Sequence, residues 1–542
     1  MERILKDMYQ DYFKIGVACE KINGRFTNHE IGNPAKEALM IKHFNSMTLA
    51  NELKPAYNMG FDSAEARTDY LPFVINPRAK EMLDWARDNG LAVRGHVLLW
   101  HSQCPREIFC VDYKPVTIPT DPEILKNNPM MKMFERLDPV CFVDRDTLLV
   151  RLKTYIYSVM EYMYSEGYMN TIYAWDVVNE AIELDDHQPT GLRNSYWYQI
   201  IGDDFIYWAF RYAYDAVEEI SAKYETKYGK IVKPVLFYND YNEFHPDKKD
   251  AILAMLNREG NGHGSIVSEK LISGIGMQGH LSDNNDCEEY AQAIRDYAKL
   301  GVEIHVTELD VKCTCTNKNA EYYQAVFYKN FFEMLLREKK AGANITSVTF
   351  WGLTDDNSWI HGADPLLFRG DLSEKKSFDA VVYALTGESL GEPEIIKAIP
   401  AEELGVLKES FENGFNHIGR VRGFGHFPFI MVTDKESRDN ASHSLFVTRH
   451  EKESTVKFNI INYVGHKVRF TAYVKAVDSV VRFGLDGAKP LQMGEIQVVK
   501  NEWNKISGEV ALSTDMLNAE IYVETDGTGD FYVDDITVEI CD

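Results

Sequence analysis

The sequence predicts a (β/α)8 barrel followed by an antiparallel β-sandwich. Three observations predict it. Eight short apolar runs, most of them without polar alternation, are spaced through the first 390 residues. Amphipathic helical patterns lie between them, and after Leu390 the pattern changes to short alternating runs bounded by turn residues. Doubly apolar runs suit parallel strands covered on both faces, whereas alternation suits a sheet with one face in water. The expected division is a barrel over 1–390, a connector over 391–405 and a sandwich over 406–542.

In chain order the apolar runs are Lys14–Cys19, Asn45–Asn51, Leu91–Trp100, Ile172–Val178, Pro234–Asp240, Ser273–His280, Glu303–Asp310 and Ser347–Leu353. Helical periodicity marks Lys80–Asp88, Thr147–Tyr164, Phe205–Tyr224, Cys287–Leu300 and Glu321–Glu338. Such a barrel does its chemistry at the C-terminal ends of its strands. His96, Glu180, Asn239, His280, Glu308 and Trp351 all fall there. Gly391–Gly405, with two prolines and an acidic cluster, reads as the connector. Beyond it, Ser444–Thr448, Val468–Val474, Trp503–Val510, Ala519–Glu524 and Phe531–Ile540 read as sandwich strands, with Gly487 and Asp526–Gly529 as turns.

Composition narrows the function. Apolar residues at 45% and aromatics at 12% supply ample core, so wholesale disorder is excluded. The net charge, 58 − 83 = −25, argues against a nucleic-acid or anionic-membrane partner, both of which need clustered positive charge. The sequence holds no window of about 18 uninterrupted apolar residues, so no membrane-spanning helix is expected. The first residues lack an apolar core before a cleavage site, so no signal peptide is expected. Localisation stays open: cytoplasmic if Met1 is the native start, extracellular if the chain begins after processing. Oligomeric state leaves no mark in the sequence. Eight cysteines are too sparse for a disulfide scaffold, and Cys313 and Cys315 lack zinc-knuckle spacing, so no metal is expected. Gly274-Ile-Gly276-Met-Gln-Gly279 matches a dinucleotide fingerprint but falls within a strand with no helix opening at its third glycine. No organic cofactor is expected either.

The strongest chemical signal is a pair of glutamates. Trp175–Glu180 (WDVVNE) ends the fourth run and His305–Asp310 (HVTELD) the seventh, so Glu180 and Glu308 would face one cleft. Paired carboxylates are what glycoside hydrolysis needs: one protonates the leaving oxygen, the other attacks or activates water. A single strand-end glutamate is more often a solvated charge. Their company favours an active site: Asn179 beside Glu180, His280 placed to bond Glu308, Asp310 as a further partner, and the flat faces of Trp100, Trp351 and Trp359.

These residues stand in longer segments: Asn45–Lys54 (NSMTLANELK), Arg94–Pro105 (RGHVLLWHSQCP), Trp175–Ala181 (WDVVNEA), Leu192–Asp204 (LRNSYWYQIIGDD), Phe237–Asn242 (FYNDYN), Gly274–Leu281 (GIGMQGHL), Val306–Asp310 (VTELD) and Trp351–Trp359 (WGLTDDNSW). In this order they resemble glycoside hydrolase family 10, retaining endo-β-1,4-xylanases with a (β/α)8 barrel. The resemblance implies that Glu180 is the general acid/base and Glu308 the nucleophile. It implies that Asn179 meets the sugar 2-hydroxyl and that His280 orients the nucleophile. Asn51, Lys54, His96, Trp100 and Gln103 would line the glycone subsites. Gln278 and Trp351 would surround the cleavage point, Trp359 would cover it, and Tyr241 would lie on the aglycone side. The implied partner is xylan or a xylo-oligosaccharide.

Two departures bear on subsite affinity and product length. Ala50 stands where the family usually has glutamate, and Ile360 where it often has arginine. The stretch Arg106–Asp146 is longer than the usual family loop, and either walls the glycone end of the cleft or forms a passive surface loop. A β-1,4-glucan hydrolase and a non-catalytic xylan-binding protein are the competing readings. Retention of Glu180, Glu308, Asn179 and His280 speaks against the second.

Phe411–Gly414, Arg422-Gly423, Ser444–Thr448, Trp503–Gly508, Tyr522–Glu524 and Phe531–Ile536 resemble carbohydrate-binding module family 22. Arg422, Tyr522 and Glu524 match ligand-contact positions of that family. Two of its stacking aromatics are missing here, so weak or no sugar binding is expected, with the sandwich bracing the barrel instead.

Overall fold

The computed structural model describes residues 2–22, 28–120, 132, 135–260, 262–360, 362–412, 422–424, 430–434, 436–438, 442–447, 455–477, 480–486, 491–526 and 530–541. Two compact units emerge, Met1–Lys312 with Gln324–Leu390, and Cys313–Tyr323 with Gly391–Asp542.

The first unit is a closed parallel barrel. Its strands are β1 (Lys14–Cys19), β2 (Ser46–Leu49), β3 (Ala92–Gly95), β4 (Ile172–Asn179), β5 (Val235–Asp240), β6 (Gly274–Met277), β7 (Glu303–Lys312) and β8 (Ile345–Phe350). Each pairs with the next, and β8 closes the ring on β1. The expected runs at 91–100 and 273–280 each split. After β3 the chain crosses toward β4: Leu98 N–H donates to the Asp176 carbonyl, and Leu99–Trp100 pair with Val178–Asn179. After β6, Gly279 turns in the left-handed region (φ +74°), and His280–Ser282 then pair with the end of β7.

The outer helices start where the sequence supplies caps. Asn76 accepts from Arg78 N–H ahead of Pro77–Asp88, Asp144 from Thr147 N–H ahead of Arg145–Ser165, and Asp286 from Glu288 N–H ahead of Cys287–Ala298. Inside the barrel, β3 passes so close to β4 that a Cβ on Gly95 would lie 2.2 Å from the Trp175 ring. A polar layer crosses the interior there. Arg94 forms an ion pair with Asp176 and approaches His305 Nδ1 at 2.7 Å, all three buried.

The second unit contains two antiparallel sheets. One runs Ile430–Thr433, Ser444–Val447, Phe531–Ile540, Lys467–Ala476, Asn504–Ala511, with Leu407–Glu409 also paired to Phe531–Ile540. The other runs Arg422–Phe424, Thr455–Asn459, Glu520–Thr525, Val480–Asp486, Leu491–Gln497. Val468, Phe470, Ala472 and Val474 alternate into a core shared with Val456, Phe458, Val481, Phe483, Ile521 and Val523. This unit also takes in Cys313–Tyr323, where Thr316 N–H donates to Leu517 O at 2.8 Å and Asn317 Nδ2 to Met516 O at 3.1 Å.

Candidate active site

β4 delivers Asn179 at its last position, and the next residue, Glu180, turns out of the strand with φ +54°. Its N–H donates to the Asn239 carbonyl at the end of β5. Its carboxyl then accepts from Trp100 Nε1 at 2.9 Å and from Gln278 Nε2 at 3.0 Å. β7 delivers Glu308, whose N–H donates to Gln278 O at 2.7 Å. The Glu308 carboxylate accepts from Asn239 Nδ2 at 2.9 Å and lies 3.2 Å from His280 Nε2, while His280 Nδ1 lies 3.0 Å from Asp310. Asn179 joins the two halves, because its Oδ1 accepts from both Asn239 Nδ2 (2.9 Å) and Gln278 Nε2 (3.3 Å).

The two carboxyls therefore share a network but not an environment. Burial pushes the Glu180 carboxyl above the usual range, and the charges of Asp240 and Glu308 add to that against the Gln278 hydrogen bond. Glu308 is only 5% exposed, and burial alone would push it up too. The His280 hydrogen bond and the nearby His96 and His280 outweigh burial and hold Glu308 below the usual range. His280, set between the carboxylates of Asp310 and Glu308, is correspondingly held well above an ordinary imidazole.

The remaining expected site residues fall into four groups. Lys54 Nζ donates to Asn51 Oδ1 at 3.1 Å and to Gln103 Oε1 at 2.7 Å, and Gln103 Nε2 donates to Asn51 Oδ1 at 3.0 Å. The Lys54 ammonium also lies 5.0 Å from the Trp100 ring centroid, tying this cluster to Glu180. His96 is buried, its Nδ1 3.0 Å from Asp176, its ring edge-on to Trp351 at 5.7 Å. Trp359, 57% exposed, donates from Nε1 to Asp310 at 2.8 Å and meets the His280 ring at 5.0 Å. Tyr241 stands apart, its hydroxyl donating to Glu183 at 2.8 Å and accepting from Arg193 Nη2 at 3.0 Å.

Several neighbours were absent from the expected set. The sequence places Asn239 at a strand end, and the structure shows its amide bonding both Asn179 and Glu308. Thr307 Oγ1 fixes it by donating to its Oδ1 at 2.6 Å. Glu20, just past β1, accepts a hydrogen bond from Asn51 and so brings a carboxylate next to Ala50, where the family glutamate is missing. Strand closure brings it there, and no local motif marks it. Residues 121–131 and 133–134 of the long loop lie outside the described residues, and the choice between a cleft wall and a passive surface loop falls on them. The described part packs behind Trp100: Phe109 meets Trp197 edge-on at 4.9 Å, and Trp197 Nε1 donates to Trp100 O.

In the second unit, Arg422 pairs in register with Lys457, Lys457 with Tyr522, and Glu524 with both Thr455 and Arg482. Arg422 and Tyr522 thus share one row of one sheet, and Glu524 occupies the row beside it.

The sequence profile of glycosyl hydrolase family 10 matches residues 4–384. Endo-1,4-beta-xylanase B of Butyrivibrio fibrisolvens is 35% identical over 397 residues, covering 71% of this chain and 53% of that protein. Endo-1,4-beta-xylanase A of Thermotoga maritima is 33% identical over 411 residues, covering 73% of this chain and 31% of that protein. The chain spans about half the length of the first relative and about a third of the second. Among solved structures, TsXylA, an intracellular xylanase of Thermoanaerobacterium saccharolyticum in complex with xylotriose, matches with a TM-score of 0.53 and 32% identity. That match covers 70% of this chain and 97% of that one. With its strand-end glutamates at the C-terminal face of a closed barrel, the chain belongs to glycosyl hydrolase family 10.

Proposed function

We propose that the chain is a retaining endo-β-1,4-xylanase acting on xylan or xylo-oligosaccharides. The observation that carries this reading is the opposed setting of Glu180 and Glu308 on one amide network, the first shifted toward its protonated form by burial and the second toward its carboxylate by His280. A proton donor and an ionised nucleophile side by side are what double displacement requires. Glu308 attacks the anomeric carbon while Glu180 gives its proton to the departing glycosidic oxygen. Glu180 then takes a proton from water, which displaces Glu308 and restores the β-configuration. Asn179 is oriented by two donors to its oxygen, leaving its amide nitrogen beside Glu180 (3.2 Å) and available to the sugar 2-hydroxyl. Asn51, Lys54 and Gln103 supply polar contacts on the glycone side, and Trp351 and Trp359 apolar faces.

The proposed hydrolase domain is 1–390, joined through 391–405 to a β-rich module over 406–542. Two antiparallel sheets fit a carbohydrate-binding module, and the assignment to family 22 rests on the sequence resemblance.

A timed product profile on glucuronoxylan, xylohexaose and cello-oligosaccharides, with anomeric configuration followed by NMR, tests the reading. Mixed xylo-oligomers of retained β-configuration are expected, and Glu308→Gln should abolish them. Preferential turnover of cello-oligosaccharides would move the assignment to a β-1,4-glucanase. No turnover on any substrate would overturn it.

A further inference from the structure

Past the end of β4 the chain loops out and comes back, and the residue that returns is Arg193. Its Nε donates to the Glu180 carbonyl oxygen at 3.1 Å, and its backbone N–H donates to Ala181 O at 2.7 Å. Ile182 and Leu192 pair next to these two contacts, on the side of the loop. The guanidinium is held from its other side as well. Arg193 Nη2 lies 3.0 Å from Tyr241 Oη and 2.9 Å from Glu183 Oε2, and Tyr241 donates to that same Glu183 oxygen. Tyr241 is pinned in turn, with the Lys248 ammonium 3.5 Å from its ring centroid and 2.8 Å from Asp240. The guanidinium is largely buried, its side chain 18% exposed.

Glu180 needs such a hold. With φ +54° it is a non-glycine residue in the left-handed region, a conformation that persists only where its surroundings fix it. From that one backbone conformation its carboxyl reaches both Trp100 and Gln278. The contacts of Arg193 use the planar fork: Nε faces the Glu180 carbonyl while Nη2 faces Glu183 and Tyr241. A lysine ammonium, a point charge on a flexible stem, cannot span both.

We propose that Arg193 is a positioning residue for proton delivery, clamping the Glu180 backbone so that its carboxyl is aimed at the leaving oxygen. The inference rests on the reading of Glu180 as general acid. It has a consequence that a merely structural role lacks. Protonation matters in proportion to how poor the leaving group is, so a misaimed Glu180 penalises sugar and phenyl leaving groups and spares dinitrophenolate, which departs without a proton.

The test compares wild type, Arg193→Met and Arg193→Lys, in the full chain, on xylohexaose, phenyl β-xylobioside and 2,4-dinitrophenyl β-xylobioside. General acid catalysis contributes about 10²–10⁴-fold, so kcat/KM on the first two substrates should fall by about 10²-fold in both variants. On the dinitrophenyl substrate the loss should stay within about threefold, since that step needs no acid. Circular dichroism and thermal melting establish that the variants are folded, and the lysine variant carries the comparison if the methionine one is not. Equal losses on all three substrates, or no loss, would overturn the role of Arg193 alone. A wild type inactive on all three would overturn the assignment of Glu180 and Glu308, and this inference with it.

Discussion

Removing His280 takes from Glu308 the hydrogen bond and the charge that hold its carboxyl below the usual range, leaving burial to push it up. Glu308 must be ionised to attack, so the acid limb of kcat/KM follows its ionisation in the free enzyme. In His280→Ala that limb should therefore move to higher pH. Glu180 must carry its proton, and activity is lost as pH rises through its raised pKa. Gln278 donates to the ionised form of Glu180, which lowers that pKa, so Gln278→Leu should move the alkaline limb upward. Profiles of kcat/KM against pH for the two variants check both signs, and a downward shift in either would contradict the environments described for these carboxyls. A third residue acts through space it leaves empty. A Cβ on Gly276 would lie 2.3 Å from Asn239 Oδ1, so Gly276→Ala should push Asn239 away from Glu308 and Asn179. Displacements of about 1 Å cost about 10²-fold in rate, and kcat should fall far more than KM changes. Steady-state kinetics on xylohexaose would show the split.

At the scale of elements, the barrel strands carry a polar layer as well as an apolar one. Arg94 on β3, Asp176 on β4 and His305 on β7 meet in the interior, where Asp176 lies below the usual carboxylate range because Arg94 and His96 outweigh burial. Breaking a buried pair by removing one partner typically costs about 3–5 kcal/mol. Arg94→Met should lose stability of that order in urea unfolding followed by tryptophan fluorescence, since seven of the eight tryptophans lie in the first unit. The same elements explain what was legible in the sequence. Strands buried on both faces read as apolar runs, so a glutamate or histidine at their ends is conspicuous, which is how Glu180, Glu308 and His280 were found. Arg193 stands in the quoted segment Leu192–Asp204 and Tyr241 among the expected aglycone residues, but the two meet Glu183 from separate parts of the chain, so no local pattern joined them into a cluster. Glu20 was hidden for the same reason: β1 lies beside β2 only once the barrel is built. In the second unit Leu491–Gln497 is partly or fully exposed at every position, so it offers no alternation to read. Thr455–Asn459 does alternate at Val456 and Phe458, but over too few residues to stand out.

For the molecule as a whole, what the β-rich unit adds on the proposed polysaccharide substrate can be argued from one sheet. Tyr522 lies across Gly484, where a Cβ would come within 2.8 Å of its ring. Its row also holds Lys457, paired with Asp486 at 2.5 Å, and the next row holds Arg482, paired with Glu495 at 2.9 Å. Among the described side chains of this sheet face, Tyr522 is thus a single ring set among ion pairs. Stacking on flat aromatic faces supplies much of the apolar contact in sugar recognition, and one ring supplies little of it. The full chain carrying Glu308→Gln, which should hold substrate without cleaving it, can be run by affinity electrophoresis through soluble glucuronoxylan with and without Tyr522→Ala. If retention comes from the barrel cleft, the second substitution should change it by less than about twofold. A strong loss of retention would instead make the sheet a second sugar-binding surface, with Tyr522 as its platform, Arg422 in the same row and Glu524 in the row beside it.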